Sequence, residues 1–96
     1  MAQDLPHAEQ QILTATQGQT AAAVFGATVT TAAWKSKPSW AVIAAHDRAI
    51  PPELEKKEVA AIKAISIILP SNHLAMMSHP REVAEVIEQA AARANK

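Results

Sequence analysis

Cysteine is absent from the 96-residue sequence, which removes disulfides, thiolate catalysis and cysteine-held zinc in one step. Neither sign of charge is in excess, since 9 Lys+Arg balance 9 Asp+Glu. With a pI near 6.9, that balance argues against a general nucleic-acid binder and against a polybasic membrane-surface protein, both of which need a cationic face. Long apolar runs are missing as well. The longest weakly polar stretch, Thr20 to Trp34, is rich in alanine and threonine and shorter than the roughly 20 apolar residues that a helix needs to cross a bilayer. Met1 to His7 is polar, with no apolar stretch behind a basic start, so the expected location is the cytoplasm.

Bulk is scarce too. Aromatic residues number three (Phe25, Trp34 and Trp40), glycines two (Gly18 and Gly26), and 22 positions are alanine. A chain this short buries a smaller share of its surface than a larger domain does. Small side chains lower the stabilisation per buried position further. An independently stable core is therefore marginal for what is at most one small domain.

The apolar positions Ala8, Ile12, Leu13 and Ala15 fall near helical spacing, and Pro6 suits a first turn, so a helix is expected over His7 to Thr16. Gly18 interrupts it. Thr20 to Phe25 is expected as a second short helix ending on Gly26 as its cap, and Ala27 to Lys37 as a connection. The run from Ser39 to Ala45 is continuously apolar after its first residue, with β-branched and aromatic side chains, and reads as a buried strand. Pro51-Pro52-Glu53 opens a helix whose inner face is expected from Leu54, Val59, Ala61 and Ile62, with Glu53 and Glu55 at its positive end. Ala64 to Leu69 is a second buried strand, stopped by Pro70. Ser78 or His79 caps a last helix, with Pro80 in its first turn, in which Val83, Val86, Ile87, Ala90, Ala91 and Ala94 form an amphipathic stripe.

Strand, helix, strand, helix with two apolar strands is the pattern of a βαβ unit, so the fold class expected is α/β with two parallel strands, at about 39–45 and 64–69, and flanking helices. Two strands are too few for such a sheet, and its outer edges call for neighbours from elsewhere.

In parallel α/β sheets ligands gather at the carboxyl ends of the strands. Asp47 comes two residues after the first strand and His73 four after the second. Adjacent strands lie about 4.8 Å apart, so their loops can bring a carboxylate and an imidazole into hydrogen-bonding contact. Such a pair is two thirds of a nucleophile–His–acid triad.

Three stretches carry a family resemblance: Trp34-Lys35-Ser36-Lys37-Pro38-Ser39-Trp40; Asp47-Arg48-Ala49-Ile50-Pro51-Pro52-Glu53-Leu54; and Ser71-Asn72-His73-Leu74-Ala75-Met76-Met77-Ser78-His79-Pro80. In this order they resemble the C-terminal half of α/β-hydrolases of the small esterase or haloperoxidase-like type. Ala15-Thr16-Gln17 before an Ala-rich segment is similar to the part that leaves the cap region of those enzymes. The resemblance implies two parts: residues 1–33 as the end of a cap region, and residues 34–96 as the βαβα C-terminal part. It also implies roles, with Asp47 as the acid that orients an imidazole and His73 as the general base. Met76, Met77 and Ser78 then serve packing and capping.

The family's nucleophile elbow is G-x-S-x-G, on a strand-to-helix turn in its N-terminal half. Neither Gly18 nor Gly26 is followed two residues later by serine, and a glycine-rich oxyanion loop is also missing. Lys63 stands where a helix-ending glycine is usual, and Gly18-Gln19 where Arg-Pro is frequent. Ser66, Ser71 and Ser78 lie in strand, loop and cap positions rather than on a glycine-flanked elbow. No two of His7, His46, His73 and His79 have the i, i+4 spacing that puts two imidazoles on one helix face, so no metal is expected, and no cofactor.

The expectation is therefore a truncated α/β-hydrolase segment that holds the acid and the base of an ester-hydrolase triad, lacks the nucleophile, and is inactive alone. The alternative is a non-catalytic interaction module, or one half of a split hydrolase, whose partner is a chain supplying the N-terminal half. Neither a nucleic acid nor a membrane is expected as a partner.

Overall fold

The computed structural model describes residues 1–94; Asn95 and Lys96, the last two positions of the expected 34–96 part, lie outside the described residues. In chain order the elements are α1 (His7–Thr16), 3-10 turns at Ala22–Gly26 and Ala33–Lys35, β1 (Trp40–Ala44), α2 (Pro52–Ala61), β2 (Ile65–Leu69), α3 (Ala75–Ser78) and α4 (Pro80–Ala94). The strands are parallel, with Trp40 opposite Ile65 and Ala44 opposite Leu69. Together with the helices around them they form a partial α/β fold, as the run of elements implies.

The strand pair and the helices α2 and α4, both in contact with β1, form the centre of the molecule. Ile43 and Ala44 at the end of β1, Leu69 at the end of β2, Ala75 of α3 and Leu5 ahead of α1 are buried. This core is small. The Cα radius of gyration is 15.3 Å, against about 12.5 Å for a compact domain of this length.

Burial departs from expectation at several places. β2 is largely exposed: Ile65, Ser66 and Ile68 face solvent, Ile67 is half-buried, and Leu69 alone of its residues is buried. The reason is that α2 and α4 both contact β1, which leaves β2 as an uncovered edge. On α2, Val59 and Ile62 turn inward, but Leu54 and Ala61 are exposed. Stepping back from Ile62 at helical spacing gives Val59, Glu55 and Pro52, all half-buried, so the periodicity puts a carboxylate where Leu54 was expected. On α4, Val83, Val86 and Ala90 are half-buried while Ile87, Ala91 and Ala94 are exposed, so part of its apolar stripe is uncovered.

The expected helix from Thr20 to Phe25 is a 3-10 turn over Ala22–Gly26 instead. Its residues are all exposed, and a helix this short with no packed face does not repay the cost of nucleation. Gly26 lies inside the turn and does not adopt positive φ, so it is not a left-handed cap. The left-handed cap is Lys63, with φ of 55°, just after α2. The Ala64 amide donates to the Val59 carbonyl (3.1 Å) and the Lys63 amide to the Ala60 carbonyl (3.2 Å), the paired bonds of a Schellman motif. The turn that delivers the chain into β2 thus uses a lysine where glycine is the unstrained choice.

No helix among the described residues is long and apolar enough to cross a membrane.

Candidate active site

The ladder between the strands continues past their carboxyl ends. The Ala45 amide donates to the Leu69 carbonyl (2.9 Å) and the His46 amide to the Ser71 carbonyl (2.9 Å), so the two loops that follow are joined before they diverge. Asp47 stands one residue beyond the first loop's last tie, and His73 two beyond the second's. Parallel pairing in this register places the two loops side by side, and the result is a hydrogen bond of 2.8 Å between His73 Nδ1 and Asp47 Oδ2.

Asp47 is fixed from both sides. Its Oδ1 accepts from the Ala49 amide (2.7 Å) and the Ile50 amide (2.9 Å), which closes the chain into the turn leading to Pro51. Its side chain is 1% exposed and that of His73 31%. Burial opposes ionisation of the Asp47 carboxyl, but the bonds from the Ile50 amide, His73 and the Ala49 amide, together with the charge of His73, outweigh it and hold the carboxyl below its usual range. An ionised Asp47 accepts the Nδ1 proton, which leaves Nε2 as the acceptor on the partly exposed side of the ring. That is the orientation a general base needs.

Other residues singled out in the sequence are dispersed. Ser71 is fully buried and its Oγ has no hydrogen-bond partner among the described residues. Ser66 faces solvent on β2. Ser78 bonds the Nδ1 of its own neighbour, His79, at 3.0 Å. Among the described residues no hydroxyl is bonded to His73, and no group of three or more His, Asp or Glu is placed to hold a metal ion.

Two carboxylates join the site without having been expected there. Glu55 on α2 turns toward Asp47: burial raises its carboxyl above the ordinary range, the Asp47 carboxylate raises it further, and the Ala44 backbone and His73 oppose this. Its Oε2 is buried and has no hydrogen-bond partner among the described residues. Asp4 accepts the Asn72 amide on Oδ2 at 3.0 Å, next to His73. Helical spacing from Val59 and Ile62 was a signal for Glu55. For Asp4, 68 positions away along the chain, the sequence holds none.

A parallel βαβ unit followed by a helix, with a buried acid and a half-open imidazole bonded to each other beyond the strand ends, defines an α/β protein of hydrolase design. The family model described as alpha/beta hydrolase family matches residues 1–86. The chain belongs to the alpha/beta hydrolase family. Neither the curated proteins nor the solved structures contain a match to it.

Proposed function

We infer that the chain is the C-terminal half of a small esterase-like or haloperoxidase-like α/β-hydrolase and supplies its acid and base, Asp47 and His73, to a serine held elsewhere. The observation that carries this reading is the 2.8 Å bond between a buried Asp47 and a partly exposed His73 beyond two parallel strands. In this reading residues 1–33 are the end of the cap region and residues 34–96 the βαβα part. A serine hydroxyl gives its proton to His73 Nε2 as its oxygen attacks an ester carbonyl, and His73 returns the proton to the departing alkoxide. Asp47 keeps the ring in the required tautomer and stabilises the imidazolium that forms.

With no G-x-S-x-G in its sequence, the chain by itself has neither the nucleophile nor the oxyanion donors that the reaction needs. It is inactive alone. A second reading is favoured by the exposed Ile65, Ile68 and Ile87: the uncovered strand edge and helix face pair with a second polypeptide, either as a split hydrolase or as an interaction module without catalysis.

The test is hydrolysis of short-chain aryl esters by the purified chain, alone and co-expressed with the N-terminal half of an α/β-hydrolase carrying G-x-S-x-G, with His73→Ala in each case. The expected result is no His73-dependent turnover alone and His73-dependent turnover in the pair. His73-dependent turnover by the chain alone refutes its inactivity. A stable pair whose turnover ignores His73 refutes the catalytic role and leaves the interaction module.

A further inference from the structure

The residues on either side of His73 are tied to the same distant segment. Asp4 Oδ2 accepts the Asn72 amide at 3.0 Å, and the Met1 carbonyl accepts the Leu74 amide at 3.3 Å. Leu5, next to Asp4, is buried and anchors the segment; its carbonyl accepts Gln10 Nε2 at 2.8 Å, which fastens it to α1. On the opposite side the loop is tied to the Asp47 turn through the bond from the His46 amide to the Ser71 carbonyl, at 2.9 Å. The imidazole therefore sits on a four-residue bridge held from the strand side by the loop that follows β1 and from the other by Met1 to Leu5.

We propose that Asp4 is a positioning residue for His73: its carboxylate, bonded to the Asn72 amide, fixes the loop so that the ring stays within reach of Asp47. The proposal rests on the reading of Asp47 and His73 as an acid–base pair and adds to it the element that fixes the base. A carboxylate suits this place because bonds from backbone N–H groups to charged acceptors are stronger than those to neutral ones. Asp4 is exposed, and the desolvation it does meet opposes its ionisation, which the Asn72 amide, the Ser78 hydroxyl, its own amide and the His79 charge more than compensate. The loop gives Asp4 its leverage. A ring held by one bond to Asp47 and by a free loop samples other rotamers, whereas a loop pinned at Asn72 and Leu74 leaves little more than rotation about the side-chain bonds of His73 itself.

The test uses the full chain labelled with 15N, and reads the tautomer of each histidine by imidazole NMR and the exchange of the Asn72 amide. Wild type, Asp4→Ala, Asp4→Asn and Asp47→Asn are compared, with Glu9→Gln as an exposed carboxylate control. In wild type, His73 is expected to carry its proton on Nδ1, and in Asp47→Asn to lose that preference. Asp4→Ala is expected to shift His73 toward the Nε2–H form and to speed Asn72 exchange about tenfold or more, the loss expected for one hydrogen bond to a charged group. His7 and His46 are expected to stay unchanged. Asp4→Asn keeps a carbonyl acceptor and loses the charge, so it gives the same changes at smaller amplitude, and it serves where Asp4→Ala unfolds. In the pair with the nucleophile-bearing half, both variants are expected to lower kcat with KM nearly constant.

An unchanged His73 tautomer and an unchanged Asn72 exchange rate in both Asp4 variants would overturn the proposal. So would equal changes at all the histidines, which mark general loosening, and an Asn72 amide that already exchanges freely in wild type. A wild-type His73 without the Nδ1 proton, insensitive to Asp47→Asn, defeats the acid–base reading instead, so the two failures are told apart.

Discussion

Asp47 and His73 meet at 2.8 Å although 26 positions separate them in sequence. The approach depends on the parallel register, which carries the bonds from the Ala45 and His46 amides beyond the strands and brings both loops to one side. Asp47 also serves its own turn, where it accepts two amides. One side chain thus closes a loop and orients a ring.

That double duty sets the first expectation. Asp47→Ala strands two amides and the imidazole together, and its cost is about 3 kcal/mol of stability, the range for breaking a buried charged hydrogen-bonded group. Asp47→Asn keeps an acceptor for the turn and costs less. In a pair that supplies the serine, Asp47→Asn lowers kcat by about a thousandfold to ten-thousandfold, because the amide no longer enforces the tautomer. Urea unfolding and ester hydrolysis check the two halves of this statement. An equal stability loss in both variants contradicts it.

The uneven covering of the sheet gives a second. Ile43 is 3% exposed on β1 and Ile68, its partner across the ladder, 56% exposed on β2. Ile43→Ala is expected to cost about 2–4 kcal/mol, and Ile68→Ala to stay within about 0.5 kcal/mol in the chain alone. In the presence of a polypeptide that covers β2, the cost of Ile68→Ala rises. Equal costs in the chain alone, measured by urea unfolding, contradict the one-sided packing.

How much of this was legible in the sequence differs from element to element for physical reasons. The two strands were legible because each is a short β-branched run stopped by a turn or proline, and α1 because Pro6 opens an apolar pattern of helical period. The α/β class followed from their order. What failed was information that no local window holds. Exposure of β2 depends on which strand the helices cover, and the turn at Ala22–Gly26 lacks a packed face to make it helical. The inward position of Glu55 was legible from the spacing of Val59 and Ile62, but hydrophobicity pointed to Leu54 instead. The contact of Asp4 with Asn72 is a tertiary fact and had no sequence signal.

Lys63 carries the third expectation. At φ of 55° a side chain with a Cβ costs about 1 kcal/mol relative to glycine, and the Schellman bonds at Lys63 and Ala64 require that backbone conformation. Lys63→Gly is therefore expected to stabilise the chain by about 1 kcal/mol, less the larger freedom that glycine gives the unfolded chain. Lys63→Ala changes little, because it keeps the Cβ. The check is the denaturation midpoint of all three proteins, and a destabilising Lys63→Gly contradicts it.

The last expectation concerns pH, where the carboxylates around His73 pull in opposite directions. Desolvation opposes ionisation of Asp47, which is buried, and of Asp4, which is exposed, and hydrogen bonds outweigh it in both, so both carboxyls are lowered on folding. Each contributes stability that is present above its unfolded value, about 3.9, and is lost as pH falls through the lower folded one. Glu55 is raised, chiefly by burial and then by the Asp47 carboxylate, against the Ala44 backbone and His73. Its contribution is present below the unfolded value of about 4.3 and is lost as pH rises through the higher folded one. Glu55→Gln removes this second limb, since an amide needs no proton to stay neutral and can donate to Asp47. It is expected to raise the melting temperature at pH 7 and to leave it nearly unchanged near pH 4. Asp47→Asn does the reverse, removing part of the acid limb while Asp4 retains the rest. Thermal melts from pH 2 to 8 on the three proteins measure both limbs, and a Glu55→Gln variant that is less stable than wild type at pH 7 contradicts the upward shift of the Glu55 carboxyl.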